Sequence, residues 1–252
     1  MGRAGHIGRG VALIHAQILR HMPASPIEIP ASADGGSSGF PNDSDRSDLG
    51  MPLAADDAKM SGMTWRDGAA RRVKLTYDDL LPYSDDGLRH ELIDGVHYVS
   101  PSPNTRHQRI VRRLSVELAQ WVEDHPAGEV FFAPFDVVFT RVDVVVPDLV
   151  YISAARAAVE LNDRHTTGAD LVVEILSPST RQRDRRLKRD LYERAGVVEY
   201  WVVDPDADTI QVHRRRGERF GVAEEFLASA HGVLRTGLLP GFELALDALF
   251  AR

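Results

Sequence analysis

The chain has 252 residues, of which 43% are hydrophobic and 27% are charged, so it can bury a core of ordinary size for a globular domain. It contains no cysteine, which excludes disulfides, zinc sites built on thiolates and cysteine nucleophiles. The formal net charge of −7 excludes a generically basic nucleic-acid binder that relies on bulk counterion release, so any contact with a nucleic acid must be local.

Hydropathy and cysteine usage also bear on location. No apolar stretch approaches the roughly 20 residues that a membrane-spanning helix needs, so no membrane association is expected. The short apolar patch within residues 1–22 is interrupted by His15, Gln17 and Arg20, which argues against a secretory signal. A chain without cysteine suits a reducing compartment, and we expect it in the cytoplasm.

The N-terminal quarter differs from the rest in composition. Residues 23–62 are rich in Pro, Gly, Ser, Ala and Asp and carry almost no periodic apolar residues, so they cannot bury enough surface to offset the entropy of ordering. We predict that residues 1–72 form a leader that is largely disordered, and that residues 73–252 form one folded domain.

The first elements of this domain have clear local signals. Thr76 is an N-cap residue, and the short helix that begins at Tyr77 carries acids in its first turn. Asp94-Gly95 lies between two apolar runs, which predicts a β-hairpin. Apolar residues at helical spacing over residues 107–124 predict a long amphipathic helix.

Extended segments occupy the middle of the domain. Residues 130–139 and 142–152 are rich in Val and Phe, and Pro147 lies where a strand would bend or run at an edge. Residues 171–176 form a continuous apolar run that only Glu174 interrupts. This run predicts a central strand that is covered on both faces.

A second helix is predicted over residues 183–195, with Leu187, Leu191 and Ala195 as its buried row and Gly196 as its end. Two further strands and a closing segment follow, at residues 200–203, 209–212 and 242–250. The order of elements predicts an α/β fold in which a mixed β-sheet is flanked by helices.

Glu174 is the most informative polar residue. An ionised carboxylate in an apolar strand is costly to bury unless a positive charge faces it. Because side chains alternate along a strand, Glu174 shares a face with Val172 and Leu176, so its partner must cover that face. An arginine from residues 181–189, in a purely structural ion pair, is one such partner.

Asp148 lies in the extended segment that precedes this strand. If residues 144–152 pair with residues 171–176, the carboxylates of Asp148 and Glu174 come to a common position. Paired carboxylates suit Mg²⁺, a hard cation that prefers oxygen ligands, and such a metal can activate water for attack on a phosphodiester. Taken alone, Asp148 could equally be a turn acid after a proline.

Lys188 lies on the helix stripe that also carries Asp184 and Tyr192, at spacings of four residues. A lysine that borders the sheet there could orient the attacking water or stabilise negative charge on phosphoryl oxygens. Its simpler interpretation is a solvated helix face. Beside it lies a cluster of basic residues that suits either phosphate contacts or pairing with Asp184 and Asp190: Arg181, Arg183, Arg185, Arg186 and Arg189.

Several stretches, in their order and spacing, resemble the PD-(D/E)xK nuclease superfamily and, more closely, the Uma2-type restriction endonucleases. The resemblance spans residues 73–250. It rests on His90-Glu91-Leu92-Ile93-Asp94-Gly95, Ser100-Pro101-Ser102-Pro103 with His107, Pro147-Asp148-Leu149-Val150, Val173-Glu174-Ile175-Leu176-Ser177-Pro178-Ser179-Thr180, Asp184 with Lys188, and Gly196-Val197-Val198-Glu199-Tyr200-Trp201.

This resemblance implies a restriction-endonuclease-like fold that hydrolyses phosphodiester bonds, with DNA as the expected substrate and Mg²⁺ or Mn²⁺ as the cofactor. Asp148 and Glu174 would bind the metal, and Glu91 would add a further metal contact. The family pattern places a lysine two residues after the glutamate, where this chain has Leu176, so Lys188 takes the role of catalytic cation. A homodimer is expected by analogy alone.

Two other functions remain open. The first is a nuclease-like fold that binds nucleic acid or a protein without cleaving. The second is a metal-dependent hydrolase of small phosphoesters, which would need a closed pocket. Glu91 could also be a structural residue that pairs with Arg89 or with a lysine elsewhere, and His107 is interpreted as a helix-start residue.

Overall fold

The structure, a computed structural model, describes residues 73–83 and 87–251. The leader predicted over residues 1–72 lies outside these residues. The described part is a mixed α/β protein, as the order of sequence elements predicts, but its strands form two large sheets and a small one where a single mixed sheet was expected. In the part of the chain that the structure describes, no helix combines the length and hydrophobicity that a membrane crossing requires.

The strands are β1 (Arg89–Ile93), β2 (Val96–Ser100), β3 (Gly128–Phe132), β4 (Asp136–Thr140), β5 (Asp143–Val145), β6 (Leu149–Ser153), β7 (His165–Thr166), β8 (Leu171–Ile175), β9 (Glu199–Asp204), β10 (Thr209–Arg216), β11 (Arg219–Phe220), β12 (Glu224–Leu227), β13 (Val233–Arg235) and β14 (Glu243–Ala245). The helices are α1 (Tyr77–Leu80), α2 (Thr105–Asp124), α3 (Ala154–Glu160), α4 (Arg181–Arg183), a π-helical segment (Asp184–Lys188), α5 (Arg189–Arg194) and α6 (Leu246–Phe250). Single 3₁₀ turns occupy Leu81–Tyr83 and Ala228–Ala230.

The five-stranded sheet has the order β2-β1-β5-β4-β7, and the seven-stranded sheet runs β11-β10-β9-β8-β6-β3, with β12 also paired to β10. Strand β8 lies inside the larger sheet, parallel to β9 and antiparallel to β6. All five of its residues are buried, which confirms the predicted central strand.

The predicted hairpin forms, and the two strands predicted at residues 200–203 and 209–212 also pair with each other. Strands β1 and β2 pair around Asp94 and Gly95, whose φ angles of 53° and 72° are those that the turn requires. Strands β9 and β10 pair from Asp204 opposite Thr209. The helix over residues 107–124 is present as α2 and begins two residues earlier.

Pro147 marks the point where the chain passes from one sheet to the other. Strand β5 belongs to the five-stranded sheet and β6 to the seven-stranded sheet, so the segment predicted as one extended stretch over residues 142–152 is two strands. A proline, which lacks an N–H group, interrupts pairing without leaving a donor unsatisfied. Asp148 therefore lies at the junction of the sheets.

The two faces of the larger sheet have separate cores. Helix α2 covers one face with Ile110, Leu114, Leu118 and Trp121, each of which contributes about 1.5–3 kcal/mol through burial. The other face buries a cluster that includes Val172, Tyr192 and Val202. Glu174 follows Val172 by two residues and faces this second side.

The sequence pattern predicted Leu187 as the first residue of the buried row of the second helix, and this prediction is wrong. Leu191 is buried as expected, but Leu187 is 43% exposed, whereas Asp184 and Lys188 are each 2% exposed. The physical reason is the π-helical segment, in which the wider turn shifts the side-chain pattern relative to an α-helix. Charged residues thereby replace Leu187 on the inward face.

Candidate active site

Asp148 is held by three donors that come from different parts of the chain. Its Oδ1 accepts a hydrogen bond from Arg89 Nη1 at 2.7 Å, and its Oδ2 accepts one from the Ile175 backbone N–H at 2.8 Å. His107 Nε2 lies 3.1 Å from the same Oδ2. Burial alone would raise the pKa of the Asp148 carboxyl, but the hydrogen bond with His107 and the charges of His107 and Arg89 hold that pKa below its usual range.

Strand register brings Asp148 next to Glu174. The pairing of β6 with β8, predicted from the sequence, is present, and its last pair is Leu149 opposite Val173. One more step in the same register sets Asp148 across from Glu174. The negative charge of Asp148 is one of the influences that raise the pKa of Glu174, which agrees with this proximity.

Glu174 is neutralised by the helix that follows its strand. Its Oε1 accepts hydrogen bonds from Lys188 Nζ at 2.8 Å and from the Tyr192 hydroxyl at 2.6 Å. The positive partner that burial demands is thus Lys188, and not an arginine. Burial, and then the nearby carboxylates, raise the pKa of Glu174 to about 8, against the opposing effect of Lys188.

Lys188 also binds Glu91, with its Nζ 2.7 Å from Glu91 Oε1. The same Oε1 accepts the Val146 backbone N–H at 3.0 Å. Glu91 Oε2 is buried and forms no hydrogen bond with the residues that the structure describes, and Arg183 Nη2 lies 3.3 Å from it. Burial alone would lower the pKa of the Lys188 ammonium, but the surrounding carboxylates raise that pKa well above its usual range.

Asp184 is a fourth acidic residue of this cluster. It is 2% exposed, and its Oδ1 lies 3.7 Å from Lys188 Nζ and has no hydrogen-bond partner in the described part of the chain. Burial is the main cause of its raised pKa. Asp184 lies on the predicted Lys188 stripe, but the sequence pattern indicates no role for it in the site.

One cavity of about 200 Å³ collects these side chains. Its lining includes the four residues expected at the site, which are Asp148, Glu174, Lys188 and Glu91. It also includes three residues that were not expected there, Arg89, Arg183 and Asp184. His107 also lines the cavity. Asn104 caps the His107 backbone N–H, so the helix-start interpretation is correct, but the buried imidazole also contacts Asp148.

Most arginines of the basic cluster beside Lys188 form ion pairs with acidic side chains. Arg181 and Arg185 both bind Asp204, at 2.6 and 2.8 Å. Within residues 73–83 and 87–251, Arg186 is exposed and makes no ion pair. Local pairing therefore accounts for much of the cluster, and among the described residues Arg186 is the member without an acidic partner.

The donor set fits a hard divalent cation in its chemistry. Asp148, Glu174 and Glu91 supply carboxylate oxygens, and Glu91 Oε2 is a buried acceptor to which no described residue donates a hydrogen bond. The geometry is that of an ion-paired site: among the described residues, no three His, Asp or Glu side chains are grouped closely enough to hold a metal. Binding would require Arg89 to leave Asp148 and Lys188 to move from Glu174.

The fold is that of a nuclease-like α/β protein. The family model for Uma2, described as “Putative restriction endonuclease”, matches residues 76–247, and the chain therefore belongs to this family. This confirms the resemblance to the Uma2 family that the motifs indicate. No curated protein matches the chain.

A solved structure supports the same fold. A crystal structure from Anabaena variabilis ATCC 29413, described as a “putative nuclease belonging to DUF820”, is 20% identical to this chain. The match covers 64% of this chain and 89% of the other, with a TM-score of 0.55. At this identity the likeness establishes the fold alone.

Proposed function

We propose that the chain is a PD-(D/E)xK-type, metal-dependent endonuclease that hydrolyses phosphodiester bonds in DNA in the cytoplasm. The observation that carries this proposal is the burial of Lys188 against Glu91 and Glu174 in the cavity that also contains Asp148. The burial of these charged side chains in one cavity is costly for the fold, and such costs are concentrated at functional sites.

Asp148, Glu174 and Glu91 would hold Mg²⁺ or Mn²⁺, which when bound lowers the pKa of a water and offsets charge on the phosphate. The Ile175 N–H and His107 orient the Asp148 carboxylate. Lys188, released from Glu174, would offer its ammonium to the attacking water or to a phosphoryl oxygen.

Plasmid cleavage tests this function. The purified chain is incubated with supercoiled DNA and Mg²⁺ or Mn²⁺, beside Glu174→Gln and Lys188→Ala, with circular dichroism as a check on folding. We expect the unaltered chain to nick the plasmid and to lose this activity in EDTA. The rate of nicking should be at least about 100-fold lower in both variants, because each lacks one preorganised electrostatic group. Equal nicking by all three proteins would contradict the assigned site.

The Arg89–Asp148 ion pair favours a second candidate, a nuclease-like module that binds nucleic acid without cutting. The guanidinium occupies a carboxylate oxygen that a metal would need. Under this alternative, the chain binds DNA with the same affinity in EDTA and in Mn²⁺ and leaves all tested DNA and RNA intact. Binding that tightens with Mn²⁺, accompanied by cleavage, excludes the alternative.

The proposed nuclease could also act as a homodimer. Two copies of the chain would then place one active site against each strand of a DNA duplex.

A further inference from the structure

A second cavity adjoins the candidate active site. Its volume is about 350 Å³, within the range of roughly 300–1,000 Å³ typical of small-ligand pockets. Its wall is rich in aromatic and polar side chains, among them Tyr77, Tyr83, His90, Phe135, Asp136 and Arg164. Arg89 and Val146 line both cavities, so the two share a boundary.

The rim of this cavity exposes flat rings and apolar surface. Tyr83 and His90 stack with ring centroids 5.0 Å apart and planes 20° apart, and His90 stacks in turn on His97 at 5.1 Å. Tyr83 is 45% exposed, and the neighbouring Leu81 and Leu88 are 50% and 48% exposed. A half-exposed ring at the edge of a pocket is a platform on which another planar ring can stack.

The polar groups of this cavity match the edge and the backbone of a nucleotide. Asp136 accepts a hydrogen bond from the Tyr77 hydroxyl at 2.8 Å, and its carboxylate suits the amino group of a base. Arg164 is exposed and positively charged. Arg89 lies between the cavities, where a phosphate that joins two nucleotides would pass.

We propose that this second cavity binds an unstacked base of the DNA strand, next to the phosphodiester that enters the first cavity. The base stacks on Tyr83 and presents its edge to Asp136. The proposal rests on the proposed nuclease function, because the strand is the substrate of that site. It adds a substrate class, DNA with an unpaired nucleotide beside the scissile bond.

Fluorescence of 2-aminopurine tests the proposal, because this base analogue is quenched when it stacks. Metal-free full-length chain is titrated into a single-stranded oligonucleotide with one 2-aminopurine, beside Tyr83→Ala and Tyr83→Phe. We expect quenching and binding by the unaltered chain and by Tyr83→Phe. Tyr83→Ala should bind about 5- to 150-fold more weakly, the equivalent of about 1–3 kcal/mol for one stacked base.

The controls separate stacking from general damage. Leu227→Ala removes a side chain that is 40% exposed on β12 and should leave affinity unchanged. An oligonucleotide with an abasic site in place of 2-aminopurine should bind Tyr83→Ala and the unaltered chain equally. Equal affinity of Tyr83→Ala and the unaltered chain for the intact strand overturns the proposal, as does a mononucleotide that binds as tightly as the strand.

The two proposals fail in distinguishable ways. If the unaltered chain cleaves DNA but Tyr83→Ala binds single strands normally, base stacking is wrong and the nuclease function stands. If quenching depends on Tyr83 but no DNA is cleaved, the stacking site stands and the nuclease function is wrong.

Discussion

Lys188 Nζ lies 2.8 Å from Glu174 Oε1, and both side chains are no more than 4% exposed. The pair joins the central strand of the larger sheet to the π-helical segment that follows it. Because the charges are buried, each depends on the other for its stability in the fold. This relationship ties the stability of the domain to the candidate site.

The first prediction concerns this pair. Lys188→Met leaves Glu174 and Glu91 without their ammonium partner, and we expect a loss of about 3–5 kcal/mol in the free energy of unfolding. Urea denaturation above the Glu174 pKa of about 8, where both groups are charged, measures it. The double variant with Glu174→Gln should lose less than the sum of the single losses, since the two residues interact directly. Strictly additive losses would contradict the structural pairing.

The second prediction concerns metal affinity. Arg89→Gln removes a positive charge that hydrogen bonds to Asp148 at 2.7 Å, so it should strengthen Mn²⁺ binding by about tenfold, the size of effect that one nearby charge has on a carboxylate. Isothermal titration calorimetry provides the dissociation constants. Arg186→Gln makes the same change of charge at an exposed position and should leave the affinity unaltered. Weaker Mn²⁺ binding by Arg89→Gln would show that Arg89 supports the metal site.

The third prediction separates the arginines of the basic cluster. Among the described residues Arg186 is exposed and forms no ion pair, whereas Arg181 binds Asp204. For duplex DNA in EDTA, Arg186→Ala should reduce the slope of log affinity against log salt by about 1, the effect of one lost phosphate contact. Arg181→Ala should change the slope less. Fluorescence anisotropy over a range of salt concentrations measures both, and equal changes would refute the distinction.

The fourth prediction concerns pH. Burial, followed by the charge of Arg189, lowers the pKa of His213 from 6.5 to about 4, against the opposing charge of Glu193. The folded chain therefore takes up a proton less readily than the unfolded chain. The stability from this histidine is complete above pH 6.5 and decreases as pH falls towards 4.

Because the His213 ring is partly exposed, the loss should be on the order of 1 kcal/mol. Urea denaturation measures the free energy of unfolding at each pH. For His213→Gln, this free energy should not show the decrease due to His213 as pH falls from 6.5 to 4. His231→Gln, which alters a histidine with 86% side-chain exposure, should retain it. The same slope in His213→Gln as in the unaltered chain would assign the pH dependence elsewhere.

The core of the site could be predicted from the sequence, because local patterns imply it. An acid in an apolar strand requires a cation on a known face, and a following helix with a lysine at the right spacing supplies it. Asp148 could be located because antiparallel strands that pair in register bring their ends together. Strand alternation, helix spacing and the cost of burying charge support these steps, whereas the catalytic role of Lys188 and the inclusion of Glu91 follow from the resemblance to the Uma2 family.

Arg89 and His107 were missed as site residues for a different reason. Arg89 is 59 residues from Asp148 in the chain, and their pairing depends on how the two sheets meet at Pro147. His107 has a sufficient local role at the start of α2, which hid its contact with Asp148. Leu187 was wrongly assigned to the core because helical periodicity assumes α-helical turns, and the π-helical segment breaks that assumption.

The most direct test of the central claim is the position of a bound metal. Crystals of the full chain soaked in Mn²⁺ and measured at a wavelength of strong anomalous scattering locate the ion independently of any activity. The account predicts an anomalous peak bonded to carboxylate oxygens of both Asp148 and Glu174, with Arg89 turned away from Asp148. A peak elsewhere, or none at this cavity, would contradict it.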